Sequence, residues 1–343
     1  MTTTLSETTT PAGREHDPPD RPRRLAHRAG PADRVFRGVS RAGGLAVLLI
    51  MCLVGGFLLY RGWEALHVAG WSFFTTEEWA PEGGDFGIAA VLTGTLLIAS
   101  VAIGIAVPLA IGTALYISEY APGRLRRLLV NLVDLMAAVP SVVYGLWGAF
   151  LMEGSVLGVA RWMSTWLGWL PPFAVEGVDP NDPLASETVY TRSTLLAGLV
   201  VAMMVTPIAS SVMREVFSQA PVGEREGAYA LGATRWGMIR AVVLPFGKGG
   251  MIGGTMLGLG RALGETIGVV MTISLVYEIQ PHILQAGASS ISALIANRYG
   301  DASPFAVSAL MAAGLALFVL TLIVNLIAST IIARSRSGAT GDA

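Results

Sequence analysis

Two charges of opposite sign interrupt a long apolar run: Arg261 and Glu265, in Gly258-Leu-Gly-Arg-Ala-Leu-Gly-Glu-Thr266. A spacing of four places them on one helix face. At membrane depth each costs about 2.5 to 3.5 kcal/mol on insertion scales, whereas an i,i+4 ion pair returns only about 0.2 to 0.5 kcal/mol. Mutual attraction is a poor reason to keep both, so a wet cavity or an interface with a partner helix is the expected setting. A guanidinium offers an oxyanion paired donors in a plane. Two readings stand: this face lines a translocation path, or the pair is an interhelical bridge that assembles subunits.

Other chemistries find little support. His16, His27, His67 and His282 all lie outside the apolar runs, which disfavours a haem held by histidines in the membrane. Cys52 is the one cysteine, so there is no intrachain disulfide and no Cys-x-x-Cys site. An intramembrane enzyme would need a nucleophile with a base, or metal ligands, facing each other at depth. With 23 basic and 24 acidic residues, no global field recruits nucleic acid. No Gly-x-x-x-x-Gly-Lys-Ser/Thr loop occurs, and Gly247-Lys248-Gly249 has neither its spacing nor its hydroxyl.

The elements that hold Arg261 and Glu265 follow from composition. Of 343 residues 53% are hydrophobic and only 14% charged, against about 25% charged in soluble chains. Six runs can each cross a bilayer as a helix: 42–60, 87–117, 128–151, 193–213, 249–276 and 304–332. This predicts an all-α, polytopic membrane protein with six transmembrane helices in contact with lipid. The segment before the first run holds eight arginines, Arg124, Arg126 and Arg127 crowd the second-to-third connection, and Arg334 and Arg336 follow the last run. Short basic segments stay in the cytoplasm, so both termini are expected there, with the acidic connections 61–86 and 153–192 outside. Residues 1–35, rich in Thr, Pro, Arg and Asp, are expected to be a disordered tail. The first run is expected to be retained, not a cleaved leader. The remaining divisions are 36–86, first helix and external loop; 87–333, transmembrane domain with a cytoplasmic loop at 214–248; and 334–343, a second tail.

Further features carry two readings each. Trp162, Trp166 and Trp169 in the long external connection read as interfacial anchors or as a docking surface. Asp134 is expected to pair with Arg124, Arg126 or Arg127. Pro140 should interrupt its helix and free backbone carbonyls, as a static or a gating kink. Gly250, Gly254, Gly258 and Gly260, Gly264, Gly268 form two stripes at spacing four, which predicts close helix packing; such stripes would equally let neighbouring helices slide.

The loop between the fourth and fifth runs has the most specific pattern: Gly223-Glu-Arg-Glu-Gly-Ala-Tyr-Ala-Leu-Gly-Ala-Thr-Arg-Trp-Gly-Met-Ile-Arg-Ala-Val-Val-Leu-Pro245. Small residues make a slim helix that Gly232 can end, and Pro245 is expected to mark the turn back into the membrane. An ordinary amphipathic connector on the lipid surface is the plainer alternative. The order Glu226-Gly-Ala-x-x-x-Gly232, then Val242-x-Leu244-Pro245, resembles the EAA signature of ABC importer permeases, with Gly227 for the usual alanine and Val242 for the usual isoleucine. Ala138-Val-Pro-Ser-Val-Val-Tyr-Gly-Leu-Trp-Gly148 and the stretch around Arg261 narrow the resemblance to the phosphate-specific branch and its PstC-type subunit, with the PstA-type partner as the nearest alternative.

The resemblance implies a type I ABC importer permease architecture that forms half of a phosphate pathway beside a second homologous permease subunit. It implies a dimer of ATPase subunits that grips the loop, with ATP and Mg bound there and none on this chain, and an external phosphate-binding protein. Glu226, Gly227, Ala228, Gly232, Leu244 and Pro245 would couple to the ATPase; Arg261 and Glu265 would meet phosphate. Phosphate still carries a proton at neutral pH, so it can donate a hydrogen bond that Glu265 accepts, whereas sulfate offers none. A permease for sulfate or molybdate, and a passive channel, are the competing readings. The implied location is the bacterial plasma membrane.

Overall fold

The computed structural model describes residues 30–179, 182 and 186–336. The expected tails fall mostly outside them, at 1–29 and 337–343; residues from Pro31 onward are already helical. The chain divides into two units, 1–52 and 53–343, and the packing described below is that of the second.

Among the described residues twelve α-helices follow in order: α1 Pro31–Ala69, α2 Ala89–Leu115, α3 Gly123–Ala138, α4 Ser141–Trp147, α5 Glu153–Leu167, α6 Thr194–Ser218, α7 Val222–Ala230, α8 Arg235–Met238, α9 Leu244–Gly264, α10 Ile267–Thr272, α11 Ile291–Arg298 and α12 Pro304–Arg336. Among the described residues the only sheet is one short antiparallel ladder, β1 Trp79–Ala80 with β2 Asp85–Phe86. Five helical stretches among the described residues are long and apolar enough to cross a membrane, or six when the bent pair α3 and α4 counts as one span. The protein is an all-α multi-pass membrane protein.

Its core lies where α2, α6 and α9 meet. Ala102, Ala106, Ala110 and Ala114 recur every four residues along α2 and are fully buried. In lipid no hydrophobic force pulls helices together, so close backbone approach through small side chains does that work. The first glycine stripe serves the same purpose on α9. A Cβ on Gly250 would stand 2.5 Å from Val216 Cβ, on Gly254 2.9 Å from the Ala209 carbonyl, and on Gly258 2.5 Å from Val205 Cγ1, all on α6. The second stripe differs. A Cβ on Gly264 would meet nothing within 4 Å, and those on Gly260 and Gly268 would make ordinary contacts at 3.8 and 3.4 Å.

Pro140 breaks the third span as expected. Val139 and Pro140 are extended, and α3 and α4 meet at 90°. The carbonyl of Met136, freed by the break, accepts from Tyr144 Oη at 2.9 Å and from the Val139 amide at 3.3 Å. Asp134 does not pair as expected: it is exposed, and no salt bridge joins it to Arg124, Arg126 or Arg127. Arg127, the nearest, is seven residues back, about 10 Å along the axis.

The fifth span needs the largest correction. The long helix there runs 235–264 and not 249–276, because Pro245 makes no turn. Ahead of it Ile239–Val243 form a π turn, in which the Leu244 amide bonds to the Ile239 carbonyl five residues back. The widened turn lets the chain stay helical up to the proline, which sits at the start of α9 where its missing amide is least needed. Within the expected 214–248 loop, residues 219–234 lie between the end of α6 and the start of this helix.

Candidate functional site

Arg261 lies in the last turn of α9, which ends at Gly264. Glu265 is the C-terminal cap, with extended backbone (φ −69°, ψ 124°). The pair therefore does not share one helical face, since the helix stops between them. Glu265 is held from three sides. Its Oε1 accepts the Gly268 amide at 3.3 Å, which satisfies an orphan donor at the start of α10. Its carbonyl accepts from Ser292 Oγ at 2.8 Å, and its Oε2 lies 3.9 Å from Arg261 Nη2, at the outer limit of an ion pair. The carboxylate side chain is only 8% exposed while the guanidinium is 39% exposed.

Arg261 is thus the reachable member. It opens into a cavity of about 490 Å³ lined also by Ile208, Met256, Leu257, Gly260, Thr321 and Asn325. Thr321 and Asn325, both on α12, went unnoticed in the sequence, although an amide inside an otherwise apolar span is itself a signal. Together these groups give a concave surface with one fixed positive charge, one carboxamide and one hydroxyl. That inventory suits a small oxyanion.

The second predicted site lies on 219–245. α7 has no buried residue. Its C-terminus closes in a Schellman motif: Gly232 takes φ +82°, its amide bonds to the Tyr229 carbonyl at 2.9 Å, and the Ala233 amide bonds to the Ala228 carbonyl at 3.0 Å. Two residues later Thr234 caps α8, its Oγ1 accepting from the Gly237 amide at 3.1 Å. One helix ends and the next begins across only four residues, 231–234.

Of the predicted residues, Glu226, Gly227 and Gly232 are exposed, and a Cβ on Gly227 would meet nothing within 4 Å. Ala228 and Leu244 face inward, against a cluster that includes Phe217, Met238 and Val243. Pro245 is exposed. Leu231, at the tip, is 91% exposed, an apolar side chain with no cover from this chain.

A contact that no motif announced ties this loop to α2. The end of α2 widens into a π turn, Tyr116–Tyr120. From it Glu119, with 3% of its side chain exposed, meets Arg225 of α7, Oε2 to Nη1 at 2.9 Å. Arg225 Nη2 also donates to the Phe217 carbonyl at 2.6 Å.

A family profile described as "Binding-protein-dependent transport system inner membrane component" matches residues 106–337. The chain belongs to that family. Its curated relatives narrow the branch. It is 37% identical over 337 residues to "Phosphate transport system permease protein PstC" of Xylella fastidiosa, with 97% of this chain and 98% of the relative covered. The protein of the same name from Pasteurella multocida is 36% identical over 301 residues, covering 88% and 91%, and that from Mycobacterium leprae 38% over 304 residues, covering 87% and 92%. Among solved structures, a bacterial ABC transporter involved in the import of the acidic polysaccharide alginate matches with a TM-score of 0.54 at 20% identity, covering 88% of this chain and 99% of that one. That likeness shows the permease fold. This permease is therefore of the PstC type, a membrane component of a transport system.

Proposed function

We propose that the chain forms half of the transmembrane pathway of an ATP-driven phosphate importer and passes work from a separate ATPase to that pathway. The observation that carries this reading is the state of α7. It is a helix of nine residues with none buried, closed by Gly232, tipped by an uncovered Leu231, and built on the order Glu226-Gly-Ala-x-x-x-Gly. Ala228 packs inward, but Val222, Tyr229 and Leu231 are left exposed by their own chain, and isolated helices this short are marginal in water. A groove on a soluble ATPase supplies the missing cover, with ATP and Mg bound on that subunit.

In this reading the 219–234 segment and both termini are cytoplasmic, in keeping with the arginine distribution. A second homologous permease subunit completes the path. The connection between α4 and α6, where Trp162, Trp166 and Trp169 are all exposed, faces outward to lipid headgroups and to an external phosphate-binding protein. Arg261 contacts phosphate from the cavity it lines. Glu265, seated behind it, keeps the arginine aimed and accepts a hydrogen bond from a phosphate hydroxyl as the path closes.

The test is purification of the tagged chain from its own membranes, followed by reconstitution and labelled phosphate uptake with sulfate and molybdate as competitors. The expected result is an ATPase and a second permease in the complex and ATP-dependent uptake that only phosphate competes away. Purification without an ATPase, or flux without ATP, overturns the reading; competition by sulfate reassigns the substrate.

A further inference from the structure

The end of α2 holds both arms of the α7–α8 element. Glu119 reaches Arg225 on α7 at 2.9 Å, and the next residue, Tyr120, lies under Arg235 of α8, whose guanidinium carbon sits 5.2 Å from the ring centre. Tyr116, one turn back, stacks on Tyr120 with ring centres 6.5 Å apart. The two arginines flank the Gly232 corner, so a single turn grips the element on either side of its bend. The π turn makes this possible. Successive residues of a helix point about 100° apart, and the extra residue in Tyr116–Tyr120 shifts the phase of the turn so that Glu119 meets Arg225 and Tyr120 meets Arg235.

The ion pair is poorly suited to be a mere brace. Glu119 Oε1 and Arg225 Nε are buried without hydrogen-bond partners, and a well-packed apolar pair commonly stabilises a site like this better than buried charges do. What charges add is directional attachment. Arg225 also holds the end of α6 through the Phe217 carbonyl, so α7 is fastened to two of the helices that pack on α9.

We infer that Glu119 and Tyr120 are positioning residues that fasten the α7–α8 element to α2, so that displacement of that element is delivered through α2 to the helix carrying Arg261. The inference rests on the coupling reading above. Its direct consequence is that breaking the fastening uncouples transport from hydrolysis without removing either.

The experiment uses the complete transporter in liposomes and measures labelled inorganic phosphate taken up per ATP hydrolysed, with subunit assembly followed by copurification. Glu119→Gln and Tyr120→Leu are expected to assemble and hydrolyse ATP while the ratio falls roughly fivefold; Tyr120→Phe, which keeps the ring, is expected to retain it. An unchanged ratio in assembled Glu119→Gln overturns the inference. Should Glu119→Gln not assemble, Glu119→Asp decides: a lowered ratio supports the inference, whereas a wild-type ratio or failure to assemble overturns it by leaving the pair only a folding role. A wild-type chain that purifies without an ATPase defeats the coupling reading and this inference with it. A wild-type complex that couples, beside a Glu119→Gln complex that couples equally, defeats this inference alone.

Discussion

Tyr144 Oη donates to the Met136 carbonyl across the 90° bend at Pro140, at 2.9 Å. A proline leaves such a carbonyl without its helical donor, and a hydroxyl eight residues on replaces it. Tyr144→Phe keeps the ring, which is buried, and removes only the donor. The loss should cost about 1 kcal/mol, read as a lower unfolding midpoint in detergent; an unchanged midpoint would assign the bend to packing alone.

The two glycine stripes make opposite predictions. Gly258→Ala drives a methyl to 2.5 Å from Val205, whereas Gly264→Ala enters open space. Overpacking costs about 1 to 3 kcal/mol, so the first variant should express poorly or melt early. The second should behave as wild type. A thermal shift assay on the two proteins side by side checks the contrast.

Glu265→Gln preserves an acceptor for the Gly268 amide but removes the charge beside Arg261. The fold should survive while labelled phosphate uptake falls about tenfold, the scale of one lost charged hydrogen bond. Glu265→Ala abandons the amide too and should lose about 1 kcal/mol of stability as well. Arg261→Lys keeps the charge and loses the planar fork, so uptake should drop with assembly intact. Normal uptake in assembled complexes would remove both residues from the pathway.

Gly232 sits at φ +82°. There a Cβ costs about 1 to 2 kcal/mol, while asparagine is better tolerated. Gly232→Ala should loosen the α7 terminus and lower uptake, and Gly232→Asn should lie between it and wild type, with hydrogen exchange at the Ala233 amide rising in the same order.

Much of this was legible in the chain itself. Uncharged runs marked the spans, Pro140 announced its break, and Gly232 announced the end of α7, because each acts through its own backbone. The end of the fifth span was not legible. Glu265 and Thr266 are only two polar residues in an apolar stretch, and what stops α9 there includes Ser292, 27 residues away, donating to the Glu265 carbonyl. Pro245 misled for a related reason: its usual effect was absorbed by a π turn that no composition signals. The Glu119 and Arg225 pair, 106 residues apart, joins two segments whose individual patterns give no hint of the other. Asn325 and Thr321 lay in plain view, but their shared cavity with Arg261 exists only once α9 and α12 are packed.

The π turn at Ile239–Val243 amounts to one amino acid more than a regular helix needs. Removing a single residue there would restore ordinary winding and swing Trp236 and everything before it by about 100° about the axis. The orientation of the whole protruding element relative to the bundle is in effect a setting with one-residue resolution. Homologous permeases that differ by a lone insertion or deletion in this stretch would present a different side of the same helix to whatever they meet.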